Sequence, residues 1–356
     1  SSPKMPINNR PRNRRDMHFL CSPFGSAGDV HPMLGVALAL RKRGHDVTFI
    51  VNGYFQELVR QFGLEFEELG TKEEFLASAG NPDLWNPLKA FRHIFESLVG
   101  RALRKQYDAF ANHHEPGKTV GITNCFGFGA LVAQDKLNMP VVSFHIQPAV
   151  VWSDIEPPLV PGIFGPRWLR RVQYSIGERF FVDPVVCPSL NALRCELGLP
   201  PVRRITRWWH SRWCVACAFP EWYCSPQMDW PTNLIQTDFP LWDERVEDSL
   251  PLHVESLLAA GEPPIVFTPG SANLFGKEFF EAAVDACRRL NRRGILLTRF
   301  PEGIPNLPDN VIHFPFVPFS LLLPRAAAVV HHGGIGSTAQ GLAAGVPQLI
   351  MALAHD

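Results

Sequence analysis

The chain has 356 residues, with 34 Lys and Arg against 34 Asp and Glu, so its formal net charge is zero. That balance argues against a nucleic-acid partner recruited by bulk charge, and the length implies two domains of roughly 100–200 residues each. No apolar run reaches the roughly 18 residues of a membrane-spanning helix, and the eight cysteines, scattered in apolar contexts, read as free thiols of a cytoplasmic protein.

Residues 1–16 are polar and basic, with Arg10, Arg12, Arg14 and Arg15. They read either as a flexible tail or as a basic contact with an anionic surface, such as a peripheral membrane contact. Met17–Ser22 is a short apolar strand, followed by the turn Pro23–Val30. Pro32 then opens a helix to Arg43, since Pro costs nothing where the N–H has no partner. Gly44 ends that helix and Asp46–Val51 is the next strand. A strand, helix and strand in this order predict a parallel sheet. Further strands read at Thr119–Thr123, Pro140–Phe144 and Cys214–Ala218.

Residues 148–183 differ in character, with Trp152, Trp168, Phe180 and Phe181 among Arg167, Arg170 and Arg171. This segment could wall an apolar substrate pocket or form short helices packed on the core. Residues 238–263 are acidic and contain proline, as suits an interdomain linker. A second series follows: strand Ile265–Thr268, turn Pro269–Ser271, helix Lys277–Asn291, and strands Gly294–Phe300, Val311–Phe314 and Ala327–His331. The expected architecture is therefore α/β, with two Rossmann-like, doubly wound parallel-sheet domains over 17–237 and 264–356 that face a cleft.

The turn His331-His332-Gly333-Gly334-Ile335-Gly336-Ser337-Thr338 opens a helix of small residues before a last buried strand. Glycines let backbone N–H groups approach an anion, and the helix start adds a partial positive charge. His332, Ser337 and Thr338 can donate hydrogen bonds toward a diphosphate. The same turn fits the dinucleotide fingerprint G-x-G-x-x-A, with Asp356 about 20 residues on where a ribose-binding acid belongs. Against an NAD site, this is the fourth strand of its series, and histidines usually have no role in that loop.

Asp29 lies in the matching turn of the first series. It could be a general base for an acceptor hydroxyl, or it could satisfy backbone N–H groups ahead of the helix. His31 could bond Asp29 or the acceptor, or serve as helix N-cap. Gly270-Ser271 is a second phosphate-contact candidate. Cys214-x-x-Cys217 with Cys224 and His210 is a single pair in a strand context, which does not read as a zinc site. The chain contains no D-x-D, so a metal-bridged diphosphate has no anchor and no metal is expected.

Two motifs resemble a known family: Gly25-Ser26-Ala27-Gly28-Asp29-Val30-His31-Pro32 with Arg43–Val47 downstream, and Pro315 to Asp356 with Val317-Pro318, the His332 turn and Ala343–Gln348. The chain resembles GT-B glycosyltransferases that glycosylate sterols, macrolides, glycopeptides and plant secondary metabolites. The resemblance runs essentially from Met17 to Asp356. It implies Asp29 as catalytic base, with His31 and Trp152 on the acceptor side. It implies His332 and Ser337 as diphosphate ligands, with Gly334 and Gly336 as backbone contacts. Gly270 and Ser271 form the family's phosphate turn, Val317 holds the base by its backbone, and Asp356 binds sugar hydroxyls. Gln340 stands where plant enzymes keep a ribose-binding Glu, and Phe316 where they stack a Trp.

The implied reaction is a metal-independent, inverting transfer from UDP-glucose, or another UDP- or TDP-hexose, to a hydrophobic alcohol such as a sterol, lipid or polyketide-like aglycone. No cofactor is implied. The family continues past the position of Asp356 with a further helical segment, so the C-terminal domain reads as incomplete. The alternatives are a nucleotide-sugar epimerase and a non-catalytic nucleotide-sugar-binding partner.

Overall fold

Two all-parallel sheets organise the chain. The computed structural model describes residues 16–86, 89–156, 163–245, 249–270 and 276–352, so most of the basic tail, Ser271 and Asp356 lie outside the described residues. The first sheet contains β1 (His18–Ser22), β2 (Asp46–Val51), β3 (Glu65–Glu68), β4 (Thr119–Thr123), β5 (Val141–His145), β6 (Cys214–Cys217) and β7 (Leu234–Gln236), in the order β3-β2-β1-β4-β5-β6-β7. The second contains β8 (Ile265–Thr268), β9 (Gly294–Leu297), β10 (Val311–Phe314), β11 (Ala328–His331) and β12 (Gln348–Ile350), in the order β10-β9-β8-β11-β12.

Parallel strands are covered on both faces, so their side chains alternate between two cores. Leu20 of β1 joins Phe110 and Phe128 on one side of the first sheet, while its neighbour Cys21 joins Met33, Leu34 and Phe49 on the other. In the second sheet Val266 and Val329 pack with Leu322, and Phe267 packs with Phe280 and Leu296 on the opposite face.

The helix after β1 begins at Ala27, five residues before the expected start at Pro32. Ser26 is its N-cap, so His31 is not. Asp29 completes a reciprocal capping box with Ser26. Pro32 therefore sits inside the helix, where it removes one i→i−4 hydrogen bond and its ring crowds the Gly28 carbonyl. Strands β3 and β7 were not expected from the sequence. β3 reads EFEE, an edge strand whose charges protect it from pairing further, and β7 is only three residues long.

The segment 238–263 contains the helix Leu252–Ala259, whose Val254 and Leu258 are buried in the second domain's core. Residues 241–244 strap the domains together. Trp242 packs against Gly35 and His31 of the first helix and against Phe62. Glu244 Oε1 lies 2.7 Å from His31 Nε2 and accepts from Arg299 Nη2 at 2.7 Å. The backbone N–H of Ser320 donates to Asp243 at 2.7 Å, and Gln340 Nε2 donates to the Leu241 carbonyl at 3.2 Å.

Candidate active site

Each sheet has one position where the strand order reverses, between β1 and β4 in the first and between β8 and β11 in the second. Loops leaving adjacent strands there diverge and leave a crevice, the usual ligand position in open α/β sheets. Both motif loops leave the C-terminal ends of these strands.

In the first domain, β1 and β4 run in register from His18↔Thr119 to Ser22↔Thr123, which brings the Asp29 turn beside Asn124. Asn124 is buried and fixes that turn. Its Nδ2 donates to the Phe24 carbonyl at 2.6 Å and to Asp29 Oδ1 at 3.1 Å, and its Oδ1 accepts from Phe24 N at 3.2 Å. Asp29 Oδ2 accepts from Ser26 N at 3.2 Å. Gly25 has φ +137, and a Cβ there would lie 2.0 Å from Asp29 Oδ2. Only glycine leaves room for this carboxylate at that backbone angle. Asp29 thus performs the capping role and is held in one orientation while doing so.

His31 is not brought to Asp29. It points to Glu244 and Trp242 in the interdomain strap. A cleft beside the turn is lined by Phe24, Gly25, Leu69, Phe75, Leu98 and Arg101, among others. Trp152 is not one of its lining residues. It stacks instead on Tyr174 at 4.7 Å and meets Trp209 edge-on at 5.8 Å.

In the second domain, the pairing His331↔Thr268 sets the loop after β11 against the loop after β8. The His332 imidazole lies between two glycines contributed by those loops. A Cβ at Gly270 (φ +97) would come 2.7 Å from His332 Cε1, and one at Gly334 would come 2.4 Å from His332 Nε2. Burial, with the adjacent His331, lowers the His332 pKa to about 4, so the ring is neutral at pH 7. It can present an N–H donor without carrying charge of its own.

The helix Ile335–Ala344 starts at Gly334, and no side chain caps it. The N–H groups of a first helical turn have no intrahelical acceptor, and here they open beside His332. Gly336 is exposed and Ser337 half-buried on that turn. Thr338 turns inward, donating from Oγ1 to the Gly333 carbonyl at 3.1 Å.

The neighbouring His331 is fully buried and structural. Its Nδ1 accepts from Gly333 N at 3.1 Å, which leaves Nε2–H to donate to Gln348 Oε1 at 2.8 Å. Gln348 Nε2 then donates to the Thr338 carbonyl at 3.2 Å, closing a network that shapes the turn. Gln340 is buried against the strap. Val317 is buried in the second core, and Phe316 stacks under Arg299 at 5.1 Å. Among the described residues, no group of three His, Cys, Asp or Glu is placed to hold a metal ion, and no helix is long and apolar enough to cross a membrane.

Sequence reasoning missed Asn124, Glu244 and Arg299. Asn124 had a usable signal, as the polar residue just past the strand that flanks β1 at the reversal. Glu244 and Arg299 had none, because their partnership depends on how the strap lies.

Residues 19–142 match the glycosyltransferase family 28 N-terminal domain, and residues 290–356 match the erythromycin biosynthesis protein CIII-like C-terminal domain. The chain is similar to the O-mycaminosyltylonolide 6-deoxyallosyltransferase of Streptomyces fradiae, with 30% identity over 358 residues, covering 96% of this chain and 81% of that protein. It is 28% identical over 368 residues to a sterol 3-beta-glucosyltransferase of Arabidopsis thaliana, covering 96% of this chain and 55% of that one. Among solved structures, the glycotransferase of kitacinnamycin superposes with a TM-score of 0.68 at 20% identity, covering 96% of this chain and 82% of that chain. The glycosyltransferase VinC, in complex with dTDP, superposes with a TM-score of 0.63 at 18% identity over 96% and 82% of the two chains. At these identities the structural likeness is one of fold.

Proposed function

The chain belongs to the nucleotide-sugar-dependent GT-B glycosyltransferases, and we propose that it moves a hexose from a UDP- or TDP-sugar to a hydroxyl of a hydrophobic acceptor, with inversion and without a metal. The observation that carries the donor side is the neutral His332 ring set between Gly270 and Gly334, beside an uncapped helix start. Such a place suits a diphosphate, because N–H donors converge there without a cation of their own. UDP-glucose is the donor to try first. The dTDP held by VinC supports including TDP-sugars.

Asp29 takes the proton of the acceptor hydroxyl. The hydroxyl oxygen then forms its bond to the anomeric carbon as the bond from that carbon to the diphosphate oxygen breaks. The departing diphosphate keeps the electron pair. His332 and the first-turn N–H groups stabilise it, and one such donor typically supplies about 10²–10³ in rate. Ser26 and Asn124 hold the Asp29 carboxylate in one orientation, with Gly25 leaving it room, so little reorganisation is needed as the proton transfers. Two relatives named for a tylonolide and a sterol acceptor support a hydrophobic alcohol, as does the apolar part of the cleft at Phe24, Leu69 and Phe75. Ser271 and Asp356 are proposed for the donor phosphates and sugar on the family pattern alone.

A thermal-shift panel of UDP, dTDP, GDP and NAD tests the donor side. A ligand at 100 times its dissociation constant adds about 2.7 kcal/mol of stability. Stabilisation by UDP or dTDP and not by NAD is expected, and NAD alone would overturn the reading. Asp29→Asn should retain the helix cap and donor affinity while transfer falls about 10²–10⁴-fold, the usual weight of a general base. Unchanged transfer would remove Asp29 from that role. Nucleotide-sugar interconversion without an acceptor would point to an epimerase.

A further inference from the structure

The helix Arg167–Gly177 continues through the wide turn Glu178–Val182 into the helix Asp183–Glu196. Its outer face is apolar. Trp168, Val172, Ile176 and Phe180 recur every fourth residue and are 68%, 48%, 49% and 65% exposed, with Phe181 beside them at 69%. Residues four apart lie one above another on a helix, so these side chains form one stripe. The inner face is anchored separately, by buried Tyr174 stacked on Trp152. A contiguous exposed stripe of this kind marks an interaction surface more often than an ordinary one.

The charge flanking the stripe has one sign. Arg167 and Arg179 on this element, and Arg203 and Arg207 on the segment packed against the wide turn, are exposed and pair with no carboxylate among the described residues. The nearby acids are already engaged. Asp154 holds Arg171, while Glu178 and Asp183 hold Arg204. An apolar face with Trp and Phe, bordered by unneutralised arginines, matches an interfacial helix on an anionic lipid surface.

We propose that this face docks the protein on an anionic bilayer, with the aromatic stripe at the headgroup boundary and the arginines on lipid phosphates. The helix is tied through Trp152 to the loop leaving the C-terminal end of β5, and Asp29 lies in the first turn of the helix that follows the same end of β1. Docking therefore brings the acceptor side of the first domain toward the membrane. That consequence rests on the hydrophobic-acceptor reading, whereas the docking does not.

Co-sedimentation with vesicles of phosphatidylcholine, and of phosphatidylcholine with an equal part of phosphatidylglycerol, tests the proposal. The protein should pellet with the anionic vesicles and be released by high salt. Arg167→Ala and Arg179→Ala together should weaken binding about 25-fold, at about fivefold per arginine. Trp168→Ser with Phe180→Ser should abolish it, while nucleotide-induced thermal stabilisation stays unchanged as evidence that the variants fold. The proposal is overturned if the wild type shows no preference for anionic vesicles, or if the variants bind as the wild type does. Sedimentation velocity showing a dimer that the Trp168→Ser, Phe180→Ser variant dissolves, with no vesicle binding, would assign the face to a second copy instead.

Discussion

Gly334→Ala probes the contribution of His332 to the donor loop. Gly334 has φ −50 and ψ 135, angles open to alanine, so the substitution adds no backbone strain. Its effect is steric, since the new Cβ would lie 2.4 Å from His332 Nε2 and 2.8 Å from Cε1. Non-bonded atoms settle near 3.5 Å, so the ring must retreat by about 1 Å. Hydrogen bonds weaken steeply outside a window of roughly 2.7–3.2 Å, so a retreat of that size loses the bond to a bound diphosphate. A hydrogen bond to a charged group is worth about 1.5–3 kcal/mol. The expected loss of affinity is therefore about 10- to 150-fold for UDP or dTDP, whichever the wild type binds, read by titration calorimetry. Gly336→Ala is the companion, because a Cβ there meets nothing within 4 Å and leaves the free protein unstrained. Gly270→Ala should lose affinity and stability together, since its φ of +97 strains any other residue. A folded Gly334→Ala protein that binds the nucleotide within twofold of wild type would refute the assignment of His332 to the diphosphate.

Asn124→Ala strips the Phe24 backbone and Asp29 of their shared partner, so it should cost about 1–3 kcal/mol in chemical denaturation. It should also lower kcat and shift the pH–rate profile while leaving nucleotide affinity intact; an unshifted profile would make Asn124 merely structural. Glu244→Gln removes the charge that joins His31 to Arg299. Burial opposes ionisation of Glu244, but His31 and Arg299 outweigh it and hold its carboxyl below the usual 4.5. That stabilisation is complete above pH 4.5 and is lost as pH falls through the lower folded value, so the variant's deficit should be greatest near neutrality and close in acid. A deficit independent of pH would exclude this charge link. Burial also lowers His210 and His332 to about 4, and lowers His145 well below 6.5. The unfolded chain binds these protons near 6.5, so stability should be full above that pH and fall toward about 4, by at most about 3 kcal/mol for each of His210 and His332. A diphosphate beside His332 would place negative charge there and raise its pKa, so binding should take up a proton in mildly acidic buffer, visible as a buffer-dependent calorimetric enthalpy.

The strand and helix pattern was readable because parallel strands are buried on both faces and read as short, mostly apolar runs. The runs TFIV in β2 and GILL in β9 are of this kind. β3 escaped because EFEE puts charges on an edge strand, where apolar periodicity gives no signal. The early start of the first helix escaped because Pro32 is a strong helix-start marker, whereas the box formed by Ser26 and Asp29 lies among residues that also read as a turn.

The donor turn was legible because its chemistry is contiguous in sequence, from His331 to Thr338. The division of labour between its two histidines was not. His331 serves the fold and His332 faces the crevice, and what separates them is the partner Gln348, contributed by the next strand. Local sequence therefore names the atoms that can act, whereas strand register decides which of them are already spent on structure. Asp29 illustrates the same rule from the other side. Its capping bond to Ser26 and its bond from Asn124 spend part of the carboxylate on structure, and they also hold it in one orientation in the turn whose Phe24 and Gly25 line a cleft. Capping and the proposed base role are thus compatible at this position, because the bonds that satisfy the helix start also fix the orientation of the carboxylate.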